Sequence, residues 1–211
     1  MPINFKLNIN EICYSIQGEG FHAGRAVIFI RLQGCSSKGA CYATGMECDT
    51  EFISGSEYTA NELTEYLKTT HPPCRSIVWT GGEPCDQLTD EVVAWFKDQG
   101  YWQAIETSGL KVPPNGLDWV TTSPKCAEHV IQKKWKAYSE AKGYHCDELR
   151  YIRHKGQSCP QRLLKAKYYC ISPHSDGMTI NRENLTHCIE LCKANPDWYL
   201  SVQQHKIWGV L

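Results

Sequence analysis

An α/β fold on a mostly parallel sheet, curling into a partial (β/α) barrel, is what the 211-residue sequence predicts. Three observations lead there. Strand-like and helix-like segments alternate at intervals suited to βα units. The early strands are continuous apolar runs, as in sheets buried on both faces. The chemically unusual residues gather where strands end, which is where α/β folds build sites. In order, Ala26–Leu32 is an apolar strand. Thr59-Ala60-Asn61-Glu62 is a capping box opening a helix toward Lys68, stopped by His71-Pro72-Pro73. Ser76–Thr80 is a strand ending at Gly81-Gly82, and a helix begins near Thr89, with Asp90 and Glu91 at its positive end and Gly100 closing it. Strands follow at Tyr101–Thr107 and Trp119–Thr122, then a helix from about Ala127 to Ala141. Asp147–Arg153 and Tyr168–Ser172 are strands, Arg182–Ala194 a helix, and Trp198–Gln203 the last strand. No repeat or linker interrupts the chain, so residues 1–211 are expected to form one domain.

Lys and Arg number 22 against 23 Asp and Glu, a net charge of −1. A generic nucleic-acid binder would carry a basic excess. The chain holds 12 cysteines. Neither a secretory leader nor the ~20 apolar residues of a membrane span is seen, so the thiols point to a reducing, cytoplasmic setting in which cysteines bind metal, catalyse or pack as small hydrophobes. The expected partners therefore include no nucleic acid and no membrane.

Cys35, Cys41 and Cys48 share one glycine-containing loop. Three thiolates could serve a zinc site, although zinc prefers tight cysteine pairs and four ligands. They also suit an iron–sulfur cluster with one iron left open for chemistry, or they could simply pack. Spacing alone leaves these readings open. The other nine, among them Cys13, Cys74, Cys85, Cys126 and Cys188, show no ligand pattern and are expected to be mostly buried; Cys188 and Cys192, four apart on a helix, form a possible satellite metal pair.

The segments Phe29-Ile30-Arg31-Leu32-Gln33-Gly34-Cys35, Cys48-Asp49-Thr50 and Val78-Trp79-Thr80-Gly81-Gly82-Glu83-Pro84 resemble the radical S-adenosylmethionine enzymes. More narrowly, Ser15-Ile16-Gln17-Gly18-Glu19-Gly20, Ile105-Glu106-Thr107-Ser108-Gly109, Ser123-Pro124-Lys125 and Ser201-Val202-Gln203-Gln204-His205-Lys206 resemble the 7-carboxy-7-deazaguanine synthase family. The matches keep their order from residue 15 to 206. One departure stands out: five and six residues separate the loop cysteines, where the superfamily usually has three and two, and Glu47 occupies the place of an aromatic residue.

The resemblance implies a barrel of the radical S-adenosylmethionine type, truncated relative to a full TIM barrel. It implies a 4Fe-4S cluster on Cys35, Cys41 and Cys48, and S-adenosylmethionine held near Glu47, Gly82, Glu83, Ser123, Pro124, Lys125 and Ser172-Pro173-His174-Ser175. Thr50 would place a hydroxyl on Mg²⁺, which prefers hard oxygen ligands. The implied substrate is a pterin, 6-carboxy-5,6,7,8-tetrahydropterin, met by Ile16, Gln17, Gly18, Glu19, Arg31, Thr80, His205 and the terminal Leu211. Arg31 suits a carboxylate because guanidinium is a rigid fork, and Glu106 is the candidate catalytic carboxylate. The implied reaction is hydrogen-atom abstraction at C6, ring contraction and loss of ammonia, a lyase step in deazapurine (queuosine-type) biosynthesis. A homodimer and a reducing, flavodoxin-like electron donor follow from the same resemblance. A glycyl-radical activase is the nearest rival, against which the Gln17–Glu19 and His205 segments speak; a non-catalytic zinc or iron–sulfur module is the second.

Overall fold

The computed structural model describes residues 5–43, 51–71, 73–142 and 146–210. Its strands are β1 (Lys6–Ile16), β2 (Ala26–Leu32), β3 (Ser56–Thr59), β4 (Ser76–Gly81), β5 (Trp102–Thr107), β6 (Trp119–Thr122), β7 (Cys146–Arg153), β8 (Ala166–Pro173) and β9 (Tyr199–Leu200). The helices are α1 (Lys38–Ala43), α2 (Ala60–Thr70), α3 (Asp90–Asp98), α4 (Glu128–Lys142), α5 (Arg182–Ala194) and α6 (Gln204–Trp208). The strands join one sheet in the order β3-β1-β2-β4-β5-β6-β7-β8-β9. From β2 to β9 every pairing is parallel, while β1 runs antiparallel to both β2 and β3. β3 and β9 end the order without pairing to each other, so the sheet is open.

The parallel strands alternate their two faces. Ile28, Ile30, Leu32, Ile77, Trp79, Ile105 and Leu149 point into the main core, with Leu63 and Leu67 of α2, Val92, Val93 and Phe96 of α3, and Ile131 and Trp135 of α4. Full burial of such side chains contributes about 1.5–3 kcal/mol each. Fully buried Gln103 is satisfied there: it accepts from Trp79 Nε1 at 3.0 Å and donates to Val93 O at 2.8 Å. On the other face lie Val27, Val78, Ala104 and Trp119, with Phe29, Trp102 and Tyr168 against them. Phe21 and His22, from the β1–β2 turn, pack on Trp119. Trp102, Trp119 and Tyr168 lie at or near the beginnings of their strands, so this aromatic group occupies the amino-terminal end of the sheet and leaves the carboxyl end to polar residues.

The expected capping box is present: Thr59 Oγ1 accepts from Glu62 N while Glu62 accepts from Thr59 N, which opens α2 at Ala60. Three expectations need correction. β1 and β3 were not anticipated, because a register shift between Ile9 and Glu11 interrupts the period-two pattern and Ser56–Thr59 has only four residues. The Cys35–Cys48 loop contains a helical turn, α1, seeded by backbone bonds to Ser37 O from Ala40 N and Cys41 N. The strand expected over Trp198–Gln203 is only Tyr199–Leu200, and His205 lies on α6 rather than at a strand end. No helix among the described residues is long and apolar enough to cross a membrane.

Candidate functional site

The carboxyl ends of β2 and β4 are bound together through glycine. Gly82 N donates to Leu32 O at 3.1 Å and Glu83 N to Gly34 O at 3.1 Å. A Cβ on Gly82 would fall 1.8 Å from Gly34 O and 3.0 Å from Cys35 Cβ. Gly81 has φ +113°, and its Cβ would lie 2.4 Å from Leu32 N. Only glycines allow this approach, which sets Cys35 directly beside the Gly81-Gly82-Glu83 turn. Glu83 is buried, and its carboxylate accepts from Thr107 Oγ1 (2.6 Å), Ser108 N (3.0 Å), Ser108 Oγ, Ser37 Oγ (3.2 Å) and Cys85 N (3.2 Å). One carboxylate thereby joins the ends of β4 and β5 to the cysteine loop. Beside it, Asp86 receives Ser36 N, Ser36 Oγ and Lys111 Nζ, at 2.8, 2.6 and 2.5 Å. Burial works against its charge, but Lys111 and Ser36 outweigh burial and hold its carboxyl below the usual range.

A second group sits farther into the sheet. Arg150, with 6% of its side chain exposed, reaches Glu19 Oε2 at 2.5 Å, Glu106 Oε1 at 2.7 Å and, in an ion contact, Glu148 Oε1 at 3.2 Å. Gln17 Nε2 donates to the same Glu106 oxygen at 3.1 Å, and Gln17 Oε1 accepts from Glu19 N at 3.1 Å. Burial opposes ionisation of Glu106, but Arg150 outweighs it and the carboxyl titrates below its ordinary value. Burial likewise opposes charge on Arg150, and the three carboxylates push its pKa well above the ordinary value. His205 is placed by Gly18: Gln204 N donates to Gly18 O at 2.9 Å, and a Cβ on Gly18 would lie 2.2 Å from His205 Nδ1. Burial lowers the His205 pKa, with the Glu19 and Glu106 charges acting in the opposite sense.

Arg31 pairs in register with Thr80 on β4 and its Nε lies 3.0 Å from Glu11 Oε2; its charge also reaches Glu106 and His205. Thus Gln17, Gly18, Glu19, Arg31, Thr80, Glu106 and His205 converge, with Ile16 ending β1 just before them. Ser123-Pro124-Lys125 follows β6, with Ser123 N bonded to Thr107 O at 2.8 Å. Ser172-Pro173-His174-Ser175 closes β8; the Oγ atoms of Ser172 and Ser175 are buried with no hydrogen-bond partner, and His174 stacks on His154 at 4.2 Å. Cys41 lies on α1. Glu47, Cys48, Thr50 and Leu211 lie outside the described residues.

Of the other cysteines, Cys74, Cys146, Cys170 and Cys188 are buried, whereas Cys13, Cys85, Cys126, Cys159 and Cys192 are partly exposed, which corrects the expectation that most of the nine are buried. Cys188 packs with Cys159 and Cys192 in an apolar cluster on Ile171 and Trp198, and among the described residues no group of three or more metal-binding side chains is arranged to hold an ion. Sequence reasoning missed Arg150 and Glu148. The signal was available in β7: two charges two residues apart share one strand face, and alternation sends that face toward Glu106.

No protein-family model matches the chain. It is similar to the 7-carboxy-7-deazaguanine synthase of Bradyrhizobium diazoefficiens, 31% identical, covering 96% of this chain and 98% of that protein. It is 32% identical to the enzyme of the same name from Bacteroides thetaiotaomicron, over 94% of this chain and 96% of that one. Among solved structures, the crystal structure of QueE from Escherichia coli superposes with a TM-score of 0.66 at 22% identity, covering 94% of both chains. That likeness bears on the fold, a mostly parallel open sheet.

Proposed function

Since the chain belongs to the 7-carboxy-7-deazaguanine synthase family, a family of radical S-adenosylmethionine lyases, we propose a division of labour among its residues in converting 6-carboxy-5,6,7,8-tetrahydropterin to 7-carboxy-7-deazaguanine with loss of ammonia. The observation that carries the proposal is the adjacency of two groups: Arg31 precedes Leu32, whose carbonyl accepts from Gly82 N, and Glu106 precedes Thr107, whose hydroxyl donates to Glu83. One, around Cys35, Gly82 and Glu83, has the chemistry of a cofactor cradle. The other, around Gln17, Glu19, Glu106 and Arg31, has that of a heterocycle site.

The residues present fit the implied cofactors. Cys35 offers a thiolate beside a turn with no side chains at two successive positions, so a ligand can approach the backbone. The buried, unpartnered hydroxyls of Ser172 and Ser175 are donors awaiting an acceptor, and such groups are costly to leave unmade. We assign Cys35, Cys41 and Cys48 to a 4Fe-4S cluster, and Gly82, Glu83, Ser123, Pro124, Lys125, Ser172, Pro173, His174 and Ser175, with Glu47, to S-adenosylmethionine. When bound, this pair supplies hydrogen-atom abstraction. Thr50 is assigned to Mg²⁺.

On the substrate side, Arg31 offers a forked donor to the pterin carboxylate. Glu19 and Glu106, each bonded to Arg150, present carboxylate oxygens that suit the N–H groups of the aminopyrimidinone edge. Gly18 seats His205 and Gly20 seats Glu148 against the β1–β2 turn, with Thr80 and Leu211 completing the pocket. Glu106, facing the reacting ring, is the group we assign to hold the intermediate in place during contraction. A homodimer, a flavodoxin-like reductant and a cytoplasmic setting belong to the same proposal.

Anaerobic reconstitution with iron and sulfide tests it. A brown protein absorbing near ~400 nm, as thiolate-ligated iron clusters do, and cleaving S-adenosylmethionine under reduction is expected. A colourless protein retaining one tight zinc would overturn the cofactor assignment.

A further inference from the structure

We propose that Arg150 is a positioning residue for the substrate site: it locks Glu19, from the β1–β2 turn, and Glu106, from the end of β5, into one rigid acceptor pair for the heterocycle's N–H edge. This inference rests on the substrate reading above.

The geometry is specific to a guanidinium. Nη1 takes Glu19 at 2.5 Å, Nη2 takes Glu106 at 2.7 Å, and Nε faces Glu148 at 3.2 Å, so the two outer donors are spent on different chain segments. Each contact uses one carboxylate oxygen: Glu19 Oε2 and Glu106 Oε1. Gln17 also uses Glu106 Oε1. The remaining oxygens, Glu19 Oε1 and Glu106 Oε2, keep lone pairs for a ligand. Glu148 is itself fixed by Phe21 N at 2.8 Å, and Gly20, whose Cβ would fall 2.2 Å from Glu148 Oε1, leaves it room.

Charge makes the arrangement more than a structural tie. Glu19, Glu106 and Glu148 outnumber Arg150 by two, so the site stays electronegative when the arginine is paired. Buried ion groups of this kind are weak evidence for stability, since well-packed apolar residues often do as well. A ligand presenting several N–H donors is what such an excess favours. Removing Arg150 leaves the carboxylates to repel one another and favours a proton on one of them. The groups facing Glu106 are Arg150 and Glu148 from β7, Gln17 and Glu19 from the β1–β2 turn, Arg31 from β2 and His205 from α6. With Arg150 gone, Arg31 is the permanent cation still acting on it.

The test compares wild type, Arg150→Lys and Arg150→Met as reconstituted holoenzymes. Three readouts are taken: S-adenosylmethionine cleavage without pterin, kcat/KM for the carboxypterin from pH 5 to 9, and calorimetric affinity of the anaerobic holoenzyme, without reductant, for the carboxypterin. Misplacement of a site group by about 1 Å can cost about 10²-fold, and a drop of that order in kcat/KM is expected for Arg150→Met. Its affinity falls in parallel, its uncoupled cleavage stays within about twofold of wild type, and its activity declines toward low pH where wild type is level. Arg150→Lys keeps the charge but one ammonium does not bridge both carboxylates in fixed geometry; it is expected to regain the pH profile and not the affinity. Should Arg150→Met fail to fold, Arg150→Lys decides through affinity and cleavage alone. Wild-type affinity and kcat/KM in either variant, or loss of cleavage in step with pterin turnover, would overturn the proposal. Failure of the substrate reading looks different: wild type would cleave S-adenosylmethionine and not bind the carboxypterin.

Discussion

Replacing Gly82 by alanine probes the joint between the cysteine loop and the β4 turn. The new Cβ would stand 1.8 Å from Gly34 O, where Cβ contacts under 3.0 Å are essentially never tolerated, so the two loops have to separate by about 1.2 Å. Gly82 does not have a positive φ, so the penalty is steric rather than conformational. Overpacking of this kind costs about 1–3 kcal/mol, and separation strains the Glu83 N to Gly34 O bond, worth about 1 kcal/mol. The expected destabilisation is about 2–4 kcal/mol. For a chain of this size each kcal/mol lowers Tm by about 2–4 °C, giving roughly 5–15 °C. Cys35 moves with Gly34, so iron bound after reconstitution should fall as well. Thermal melting of the cluster-free protein and iron analysis read the two effects separately. Gly24→Ala is the control: its φ is +89° but nothing lies within 4 Å of the added Cβ, so only the backbone cost of about 1 kcal/mol applies. A Gly82→Ala protein with wild-type Tm and a full complement of iron would refute the reasoning.

Cys41→Ala should abolish the cluster as fully as Cys35→Ala or Cys48→Ala, read from iron content and the ~400 nm band; retained cluster in Cys41→Ala alone would show that another group is the third ligand. Gly18→Ala should displace His205 and raise KM for the carboxypterin by about tenfold or more, while S-adenosylmethionine cleavage is unchanged. Burial pushes the Cys146 and Cys170 thiols up to about 12 and Cys188 to about 11. Their folded pKa values lie above the ordinary thiol value of 9.0, so their contribution is complete below pH 9 and lost as pH rises from there toward 12. Denaturant unfolding should show stability falling over that window, less steeply in Cys146→Ala.

The helix-side core was legible because its signals are local. Ala26–Leu32 and Trp119–Thr122 are the observed β2 and β6, and the capping box at Thr59 and the helix over Arg182–Ala194 appear as read. Continuous apolar runs and side-chain caps report on their own few residues. β1 was hidden by its bulge, and β9 by being two residues long and dependent on β8 for pairing. On the site side, the glycine turn and the Gln17–Glu19 segment carried motifs, so Glu83 and Glu106 were found. What no motif disclosed was their company. Glu83 collects five hydrogen bonds from three segments, and Arg150 draws together residues 131 and 44 positions away. Contacts of that span exist only once β5 and β7 are set on either side of β6.

The most direct test of the account is product analysis. The anaerobically reconstituted protein, given reductant, S-adenosylmethionine, Mg²⁺ and 6-carboxy-5,6,7,8-tetrahydropterin, is predicted to release 7-carboxy-7-deazaguanine and ammonia in equal amounts over many turnovers. Competent cleavage of S-adenosylmethionine with the carboxypterin recovered unchanged would contradict it.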